Sequence, residues 1–229
     1  MLKIYGLPFS AHSRKVIVGA RFKGLEYELV PTIPFKPTPE FEAASPLRLL
    51  PAIEHGDIKL ADSSVIALYL DRVYPDTPLY PAAPADYARA LWIEELVDGA
   101  LAKHVLHDLL MQRVFGPKFL GIEPDQALIR AALEQHIPAR LAYLEGALGE
   151  AQWFAGSALS YADITVASIL INLHYAGERV EASTYPRLFA FIRRALAAPC
   201  FAGALELEAA AVSDVPELDL WLLQQLGLR

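Results

Sequence analysis

The sequence predicts a fold of two classes, α/β plus all-α, in which a small mixed-sheet domain precedes an all-helical domain. Short strand and helix patterns alternate through the first part of the chain. Prolines then cluster from Tyr74 to Pro84, where neither a helix nor a strand continues easily. Beyond that cluster, apolar residues recur at helical spacing. We therefore place the first domain at residues 1–78, a linker at 79–86 and the all-helical domain at 87–229.

The first domain begins with a strand, a helix and a second strand. Lys3–Tyr5 is a short strand candidate, and the helix that follows is opened by Ser10 or Ser13 and stopped at Gly24. Tyr27–Val30 is the next strand, and the order strand, helix, strand implies a right-handed crossover and parallel pairing with the first strand. The remaining predicted elements are a helical turn at Thr38-Pro39-Glu40, a hairpin around His55-Gly56-Asp57 and a helix after Asp62-Ser63-Ser64.

In the second domain the sequence predicts four helices, the last of which is opened by Pro186 and stopped by Pro199. Asp86 is the expected cap of a long helix that runs toward Gly116-Pro117. A second helix carries an apolar seam at heptad-like spacing, and Pro138 inside it predicts a kink or an early break. Ser160 and Asp163 form a capping box, with Asp in place of Glu, ahead of a helix that is apolar on nearly every face. Such a helix is expected at the centre of the domain.

Composition excludes several classes of function. The chain has 229 residues, of which 54% are hydrophobic and 21% charged, so it can bury a sizeable core. The net charge of −7 argues against nucleic acid as a partner. Cys200 is the single cysteine, which excludes an intrachain disulfide. No apolar run approaches the roughly 20 residues of a membrane span, and Met1–Gly6 lacks a signal-peptide pattern. A cytoplasmic protein without a membrane partner is expected.

Two neighbouring stretches of main chain are suited to hold a small extended peptide. Leu50-Pro51 leads into a short strand, and a Leu-Pro bond in a tight turn is a candidate for the cis form. Asp62-Ser63 opens a helix, whose first N–H groups and partial positive charge attract a carboxylate. The two stretches together predict a binding site for a short peptide.

Four segments in this order resemble the cytosolic glutathione transferase family, over essentially the whole chain. The resemblance implies a thioredoxin-like N-terminal domain followed by an all-helical C-terminal domain, and a homodimer. It also implies glutathione as co-substrate and no metal. The matching segments are Tyr5-Gly6 with Ser10–Val16, Ser45-Pro46 with Leu50–Ile53, Leu60–Leu70, and Leu159–Ile164.

The resemblance implies that Ser10 is the catalytic hydroxyl, as in the serine-type classes, because it lies four positions before Arg14. A free thiol with a pKa of ~8.5 is only a few per cent ionised at pH 7. A charge-assisted hydrogen bond of roughly 1.5–3 kcal/mol would make the thiolate of glutathione a major species. Alternatively, Ser10 is a plain N-cap. Ser13 is a weaker candidate for the catalytic hydroxyl.

The resemblance also implies how glutathione is held. The main chain of Leu50 would pair with the cysteinyl part, Asp62 would bind the α-amino group, and the hydroxyl of Ser63 would bind the α-carboxylate. Lys36 is the best-aligned cation for the glycyl carboxylate, with Arg48 as the alternative. Asp62 and Ser63 could instead only cap their helix, and Lys36 could be a solvated loop residue.

A set of residues on the first long helix is expected to line the co-substrate pocket. Simple packing in the helical domain is the alternative for the apolar members. The two histidines could also suggest a metal pair, but no third strong ligand is near in sequence. The set is His104, His107, Met111 and Phe115.

The function expected from the resemblance is a glutathione S-transferase in detoxification. It would activate the glutathione thiol as a thiolate that attacks a small, electrophilic, apolar co-substrate. A glutathione-dependent peroxidase, etherase or isomerase would use the same thiolate. A relative that keeps the fold only as a binding or scaffold module is the alternative from another class.

Overall fold

The computed structural model describes residues 1–212, 215 and 217–228, and over these residues it contains one four-stranded sheet in the order β2-β1-β3-β4. The strands are β1 (Leu2–Gly6), β2 (Tyr27–Pro31), β3 (Ala52–His55) and β4 (Ile58–Ala61). β1 pairs in parallel with β2 and antiparallel with β3, and β3 pairs antiparallel with β4. The predicted parallel crossover and hairpin are thus confirmed, and the sheet is the thioredoxin-like arrangement.

Three helices accompany the sheet in the described part of the first domain. They are α1 (Ala11–Phe22), α2 (Pro39–Ala44) and α3 (Ser63–Val73). Each has a side-chain cap that the sequence indicated, because Ser10, Thr38 and Asp62 accept hydrogen bonds from main-chain N–H groups of the first turn. The apolar side of α1 is buried, and α1 also packs against helices of the second domain.

The second domain is helical throughout its described residues. One long helix starts as α4 (Pro84–Glu95) and continues with i→i+5 bonding in π1 (Leu96–Leu101) and π2 (Lys103–Leu120). The next combines α5 (Gln126–Ala131), π3 (Ala132–His136) and α6 (Ile137–Leu148). The remaining helices are α7 (Tyr161–Tyr175), α8 (Pro186–Leu196), α9 (Pro199–Ala211) and α10 (Trp221–Gln225).

The start of the long helix differs from the prediction. Asp86 does not cap it, because α4 begins at Pro84 after Ala83, which provides no side-chain cap. Proline at the first helical position has the right φ and lacks an N–H group that would be unpaired there, so the helix starts earlier than its first polar cap candidate. α4 therefore begins inside the predicted linker at 79–86, and the domain boundary stays a prediction.

Two prolines were expected to interrupt helices, and only one of them does so. The first long helix does not end at Pro117, as expected, but continues to Leu120 and ends at Gly121, whose φ is +63°. Gly116 lies so close to the carbonyl of Met111 that a Cβ would be 2.8 Å from its oxygen, so this wide turn requires glycine. Pro138 falls where π3 changes to α6, which gives the predicted interruption.

Helix α7 is the predicted central helix, since all fifteen of its residues are buried. Its capping box is confirmed, because Asp163 Oδ2 accepts from Ser160 N at 2.8 Å and from Ser160 Oγ at 2.7 Å. Asp163 Oδ1 also accepts from Phe154 N at 2.8 Å, which fixes the loop before the helix. α7 packs against α1, so the sheet domain and the helical domain share one apolar core.

Replacing Asp163 by alanine is expected to lower the free energy of unfolding by about 2–3 kcal/mol, because buried N–H and O–H donors lose their acceptor. Urea unfolding followed by circular dichroism measures this loss. The matched variant Ser160→Ala removes one hydroxyl and keeps the main-chain bond, so it should cost only about 1 kcal/mol. Equal losses in the two variants would contradict the role assigned to the Asp163 carboxylate.

In the described part of the chain, no single helix has the length and apolar composition to span a membrane. α8 and α9 meet that test only when taken together, and they are bent by 81° where they join.

Candidate active site

The topology brings the predicted glutathione-binding segments to one end of the sheet. β1 and β2 run in parallel with Gly6 opposite Pro31, so the segments after both strands leave at this end. β3 runs the other way, and Ala52 lies opposite both Tyr5 and Ala61. The segments that emerge here are 7–10 after β1, 32–38 after β2, the residues before Ala52, and those after Ala61. They carry Ser10, Lys36, Leu50, Asp62 and Ser63.

The loop before β3 is fixed by its own hydrogen bonds. The Leu50–Pro51 bond is cis. Ser45 Oγ donates to Leu49 O at 2.8 Å and accepts from Leu49 N at 3.0 Å, which closes the turn just ahead of Leu50. Arg48 has a φ of +54°. Its guanidinium is engaged with Glu42 of α2, with Nη2 at 2.6 Å from Oε1.

Asp62 caps α3 through one of its two carboxylate oxygens. Its Oδ1 accepts from Ser64 N at 2.9 Å and from Val65 N at 3.0 Å, so the capping role is confirmed. The residue is exposed and has a φ of +76°, a conformation that costs energy for a residue with a Cβ. Ser63 is buried, and its carbonyl accepts from the hydroxyl of Tyr161 in α7 at 2.9 Å. The hydroxyl of Tyr161 in the helical domain therefore holds the start of α3 in place.

Ser10 is the accessible hydroxyl at the start of α1. It is half-buried, and its Oγ accepts from Ser13 N at the long distance of 3.5 Å, which makes it a weak cap. Ser13 is fully buried, and its Oγ lies only 2.6 Å from where a Cβ on Gly6 would be. Tyr5 is also inside, where its ring packs on Phe41 and its hydroxyl donates to Glu54 at 3.4 Å. Of these three hydroxyls, only Ser10 is placed to meet a ligand.

Behind Ser10, Arg14 lies in a buried ion pair with Glu208 of α9. Arg14 Nε donates to Glu208 Oε2 at 2.8 Å, and Nη2 donates to Oε1. Burial opposes the charge of Arg14, but the adjacent Glu208 carboxylate outweighs it and raises the pKa of the guanidinium. The side chains are 1% and 0% exposed, so this pair is shielded from solvent.

Sequence reasoning missed a charged cluster on the other side of α1. His12 Nδ1 lies 3.6 Å from Asp98 Oδ1 in π1, and Lys15 Nζ pairs with Asp98 and lies 3.6 Å from Glu94 Oε1. Burial lowers the pKa of His12, although the Asp98 carboxylate acts in the opposite sense. The only signal in the sequence was the position of His12 two residues after Ser10, since Asp98 is distant along the chain.

The structure gives different surroundings for the four predicted pocket residues. The ring of Phe115 packs on Phe9, next to Ser10, with centroids 6.1 Å apart. Met111 is half-buried and His107 is exposed. His104 instead stacks on His136 of π3 at 4.2 Å. Its Nδ1 lies 2.6 Å from Asp108 Oδ2, so His104 belongs to a contact within the helical domain.

Among the described residues, no group of three or more His, Cys, Asp or Glu side chains is placed to hold a metal ion. Lys36 is exposed and forms no ion pair with a described carboxylate, which leaves its ammonium available. Arg48, the alternative cation, is held by Glu42.

Comparison with known sequence families shows to which family this chain belongs. Residues 4–78 match the family described as glutathione S-transferase, N-terminal domain, and residues 113–205 match glutathione S-transferase, C-terminal domain. The chain belongs to the glutathione transferase family. The matched segments contain the sheet end described above and the buried helix α7.

Individual relatives agree with this assignment. A zeta-class glutathione S-transferase from Euphorbia esula is 32% identical over 168 residues, which are 71% of this chain and 72% of that protein. A glutathione S-transferase from Triticum aestivum is 26% identical over 206 residues, or 88% of this chain and 92% of that protein. The crystal structure of a glutathione S-transferase from Rhodospirillum rubrum F11 has a TM-score of 0.81 and 27% identity, and covers 90% of this chain and 92% of that chain.

Proposed function

We propose that this glutathione transferase holds glutathione at the common end of its sheet and stabilises the thiolate with the hydroxyl of Ser10. The observation that carries the proposal is the convergence of Ser10, Leu50 and Asp62 at that end, set by the register of β1, β3 and β4. Of the hydroxyls at the start of α1, only that of Ser10 is accessible.

The chemistry requires a donor at the sulfur of glutathione. Ser10 precedes the first turn of α1, where unpaired N–H groups and the helix dipole favour a negative charge. Its weak cap bond uses the oxygen as acceptor and leaves the O–H proton free to be donated. The thiolate then attacks the electrophilic atom of the co-substrate and forms a thioether, and the leaving group departs with the bonding electron pair.

The rest of the peptide is proposed to bind at the start of α3 and in the loop after β2. Asp62 Oδ1 is used by the cap of α3, so Oδ2 is the oxygen proposed for the α-amino group. The first N–H groups of α3 and the hydroxyl of Ser63 are proposed for the α-carboxylate. Lys36 is preferred to Arg48 for the glycyl carboxylate, because Arg48 is paired with Glu42.

The proposed co-substrate pocket lies under π2. Phe115, whose ring packs on Phe9, provides apolar surface beside the residue that precedes Ser10. Met111 and His107 of the same helix are proposed as further lining. His104 is left out of the pocket because it is committed to His136 and Asp108. An apolar, aromatic electrophile suits such a lining.

Calorimetric titration with glutathione tests the binding half of the proposal. A dissociation constant near or below millimolar is expected, and Asp62→Ala should weaken it by about tenfold because a charge-assisted hydrogen bond is lost. The matched control is Asp57→Ala, an exposed aspartate in the hairpin turn at the other end of the sheet, which should bind as the unmodified protein does. No measurable binding would favour the scaffold function instead.

Turnover of a panel of aryl halides, aryl ethers, hydroperoxides and isomerisable dienones tests the reaction. Product formation that depends on glutathione and on Ser10 would support an enzyme and identify its class. Binding of glutathione without turnover of any member would leave only a binding function.

We also propose a homodimer. Apolar side chains are exposed on α3 and α4, where Val65 is 47% and Trp92 54% exposed. Light scattering should give twice the chain mass of 25.2 kDa, and a mass of one chain at micromolar concentration would contradict the dimer.

A further inference from the structure

The peptide unit between Phe9 and Ser10 is held at both ends. Ser10 N donates to Leu7 O at 3.0 Å. The carbonyl oxygen of Phe9 accepts from Asn172 Nδ2 at 3.2 Å and from Arg14 Nη2 at 3.4 Å. We call these two contacts on the Phe9 carbonyl the Phe9 clamp. Asn172 lies on α7, so one half of the clamp comes from the helical domain.

The donors of the clamp are themselves fixed. Arg14 Nη1 donates to Asn172 Oδ1 at 2.8 Å and to Ser168 O at 2.7 Å. Nε and Nη2 of Arg14 bind Glu208 of α9. With the contact to Phe9 O, every N–H direction of the guanidinium is used. Asn172 is 2% exposed and Arg14 is fully buried, so water does not compete for these groups.

The geometry has a direct consequence for Ser10. A peptide unit is planar, so fixing its C=O and N–H directions also fixes the position of the following Cα. The side chain attached to that Cα carries the hydroxyl proposed to meet the thiolate. The clamp also turns the Phe9 carbonyl oxygen toward buried donors. A carbonyl dipole that faced the sulfur would instead disfavour its negative charge.

We propose that Asn172 is a positioning residue, which holds the Phe9–Ser10 peptide unit so that the Ser10 hydroxyl meets the glutathione thiolate. This inference rests on the proposed function, since it concerns the same hydroxyl. It assigns a role in the reaction to α7, which has no side chain among the proposed ligands of glutathione.

Two variants of Asn172 test the clamp. Asn172→Ala removes the whole amide, while Asn172→Asp keeps an acceptor for Arg14 and cannot donate to Phe9 O. The matched control is Ser168→Ala, on the same buried helix one turn earlier. Ser168 contributes only its main-chain carbonyl to Arg14, and its hydroxyl has no partner among the described residues, so the alanine variant leaves the network intact.

Three readouts separate positioning from general damage. Glutathione affinity of both Asn172 variants should stay within about threefold, while kcat at pH 6.5 falls by about tenfold or more because the hydroxyl is misplaced. The pH midpoint of kcat/KM for the electrophile, measured at saturating glutathione, should rise by about one unit, so that the rate recovers at higher pH. Exchange of the Ser10 amide, followed by mass spectrometry of the segment 7–10, should accelerate by about fivefold. Ser168→Ala should show none of these changes.

The outcomes distinguish this inference from the proposed function. If the Asn172 variants match Ser168→Ala in rate, pH midpoint and exchange while Ser10→Ala is impaired, the clamp proposal is wrong and the function stands. If the unmodified protein neither binds nor uses glutathione, the function fails and this inference fails with it. Faster exchange in that case would show only that Asn172 orders the loop. Should Asn172→Ala melt before assay, Asn172→Asp, which preserves the side-chain volume, carries the same test.

Discussion

Replacing Ser10 by alanine is expected to lower kcat at pH 6.5 by about 10–100-fold, because the thiolate fraction of bound glutathione falls by that factor when its pKa rises by about one to two units. The dissociation constant for glutathione should change by less than about threefold, because the peptide is held by other groups. The loss should be smaller at pH 9, where the thiol ionises without help. Steady-state kinetics with a saturating aryl halide, together with calorimetry, measures both quantities.

Two serine variants control this experiment. Ser10→Thr keeps a hydroxyl at the start of α1 and should retain most of the rate. Ser13→Ala alters the buried neighbour, whose hydroxyl has no partner among the described residues and no access to a ligand. A Ser13→Ala enzyme that loses turnover while Ser10→Ala keeps it would exchange the roles proposed for the two serines.

Replacing Glu208 by alanine is expected to lower the free energy of unfolding by about 3–5 kcal/mol. The change would leave the guanidinium of Arg14 buried without its counter-charge, which costs far more than the pair contributes net. The ion pair joins α1 of the sheet domain to α9 near the end of the chain, so its loss weakens the contact between the two domains. Urea unfolding at pH 7, monitored by circular dichroism, measures the loss.

The matched control is Glu206→Ala, which removes an exposed glutamate from the same helix and should change stability by less than about 0.5 kcal/mol. Glu208→Gln keeps the shape and one acceptor, and should fall between the two. If Glu208→Ala and Glu206→Ala were equally stable, the Arg14–Glu208 ion pair could not stabilise the contact between α1 and α9 as proposed.

Local patterns in the sequence predicted the fold well, because the forces that set these elements act over a few residues. The caps of α1 and α3 at Ser10 and Asp62 follow from short-range hydrogen bonds, as does the capping box at Asp163. Asp86 was wrongly expected as a cap, because the preformed φ of Pro84 starts α4 without a polar side chain.

The parts of the site that depend on long-range contacts could not be predicted. The buried network of Arg14 could not be predicted, because its partners Asn172 and Glu208 are 158 and 194 residues away. Likewise, nothing in the local pattern of His104 indicated that its ring would stack on His136. Burial determines which polar side chains can contact a ligand, and burial depends on how the helices pack together.

The central claim is that Ser10 makes the thiolate of bound glutathione a major species near neutral pH. Its most direct test is a spectroscopic titration of the bound thiol, in which the ultraviolet absorbance of the thiolate is followed from about pH 5 to 10 in the unmodified protein and in Ser10→Ala. A hydrogen bond of roughly 1.5–3 kcal/mol corresponds to a difference of about one to two pH units. We expect the midpoint of the unmodified protein to lie at least about one unit below that of Ser10→Ala. Coincident midpoints would contradict the account.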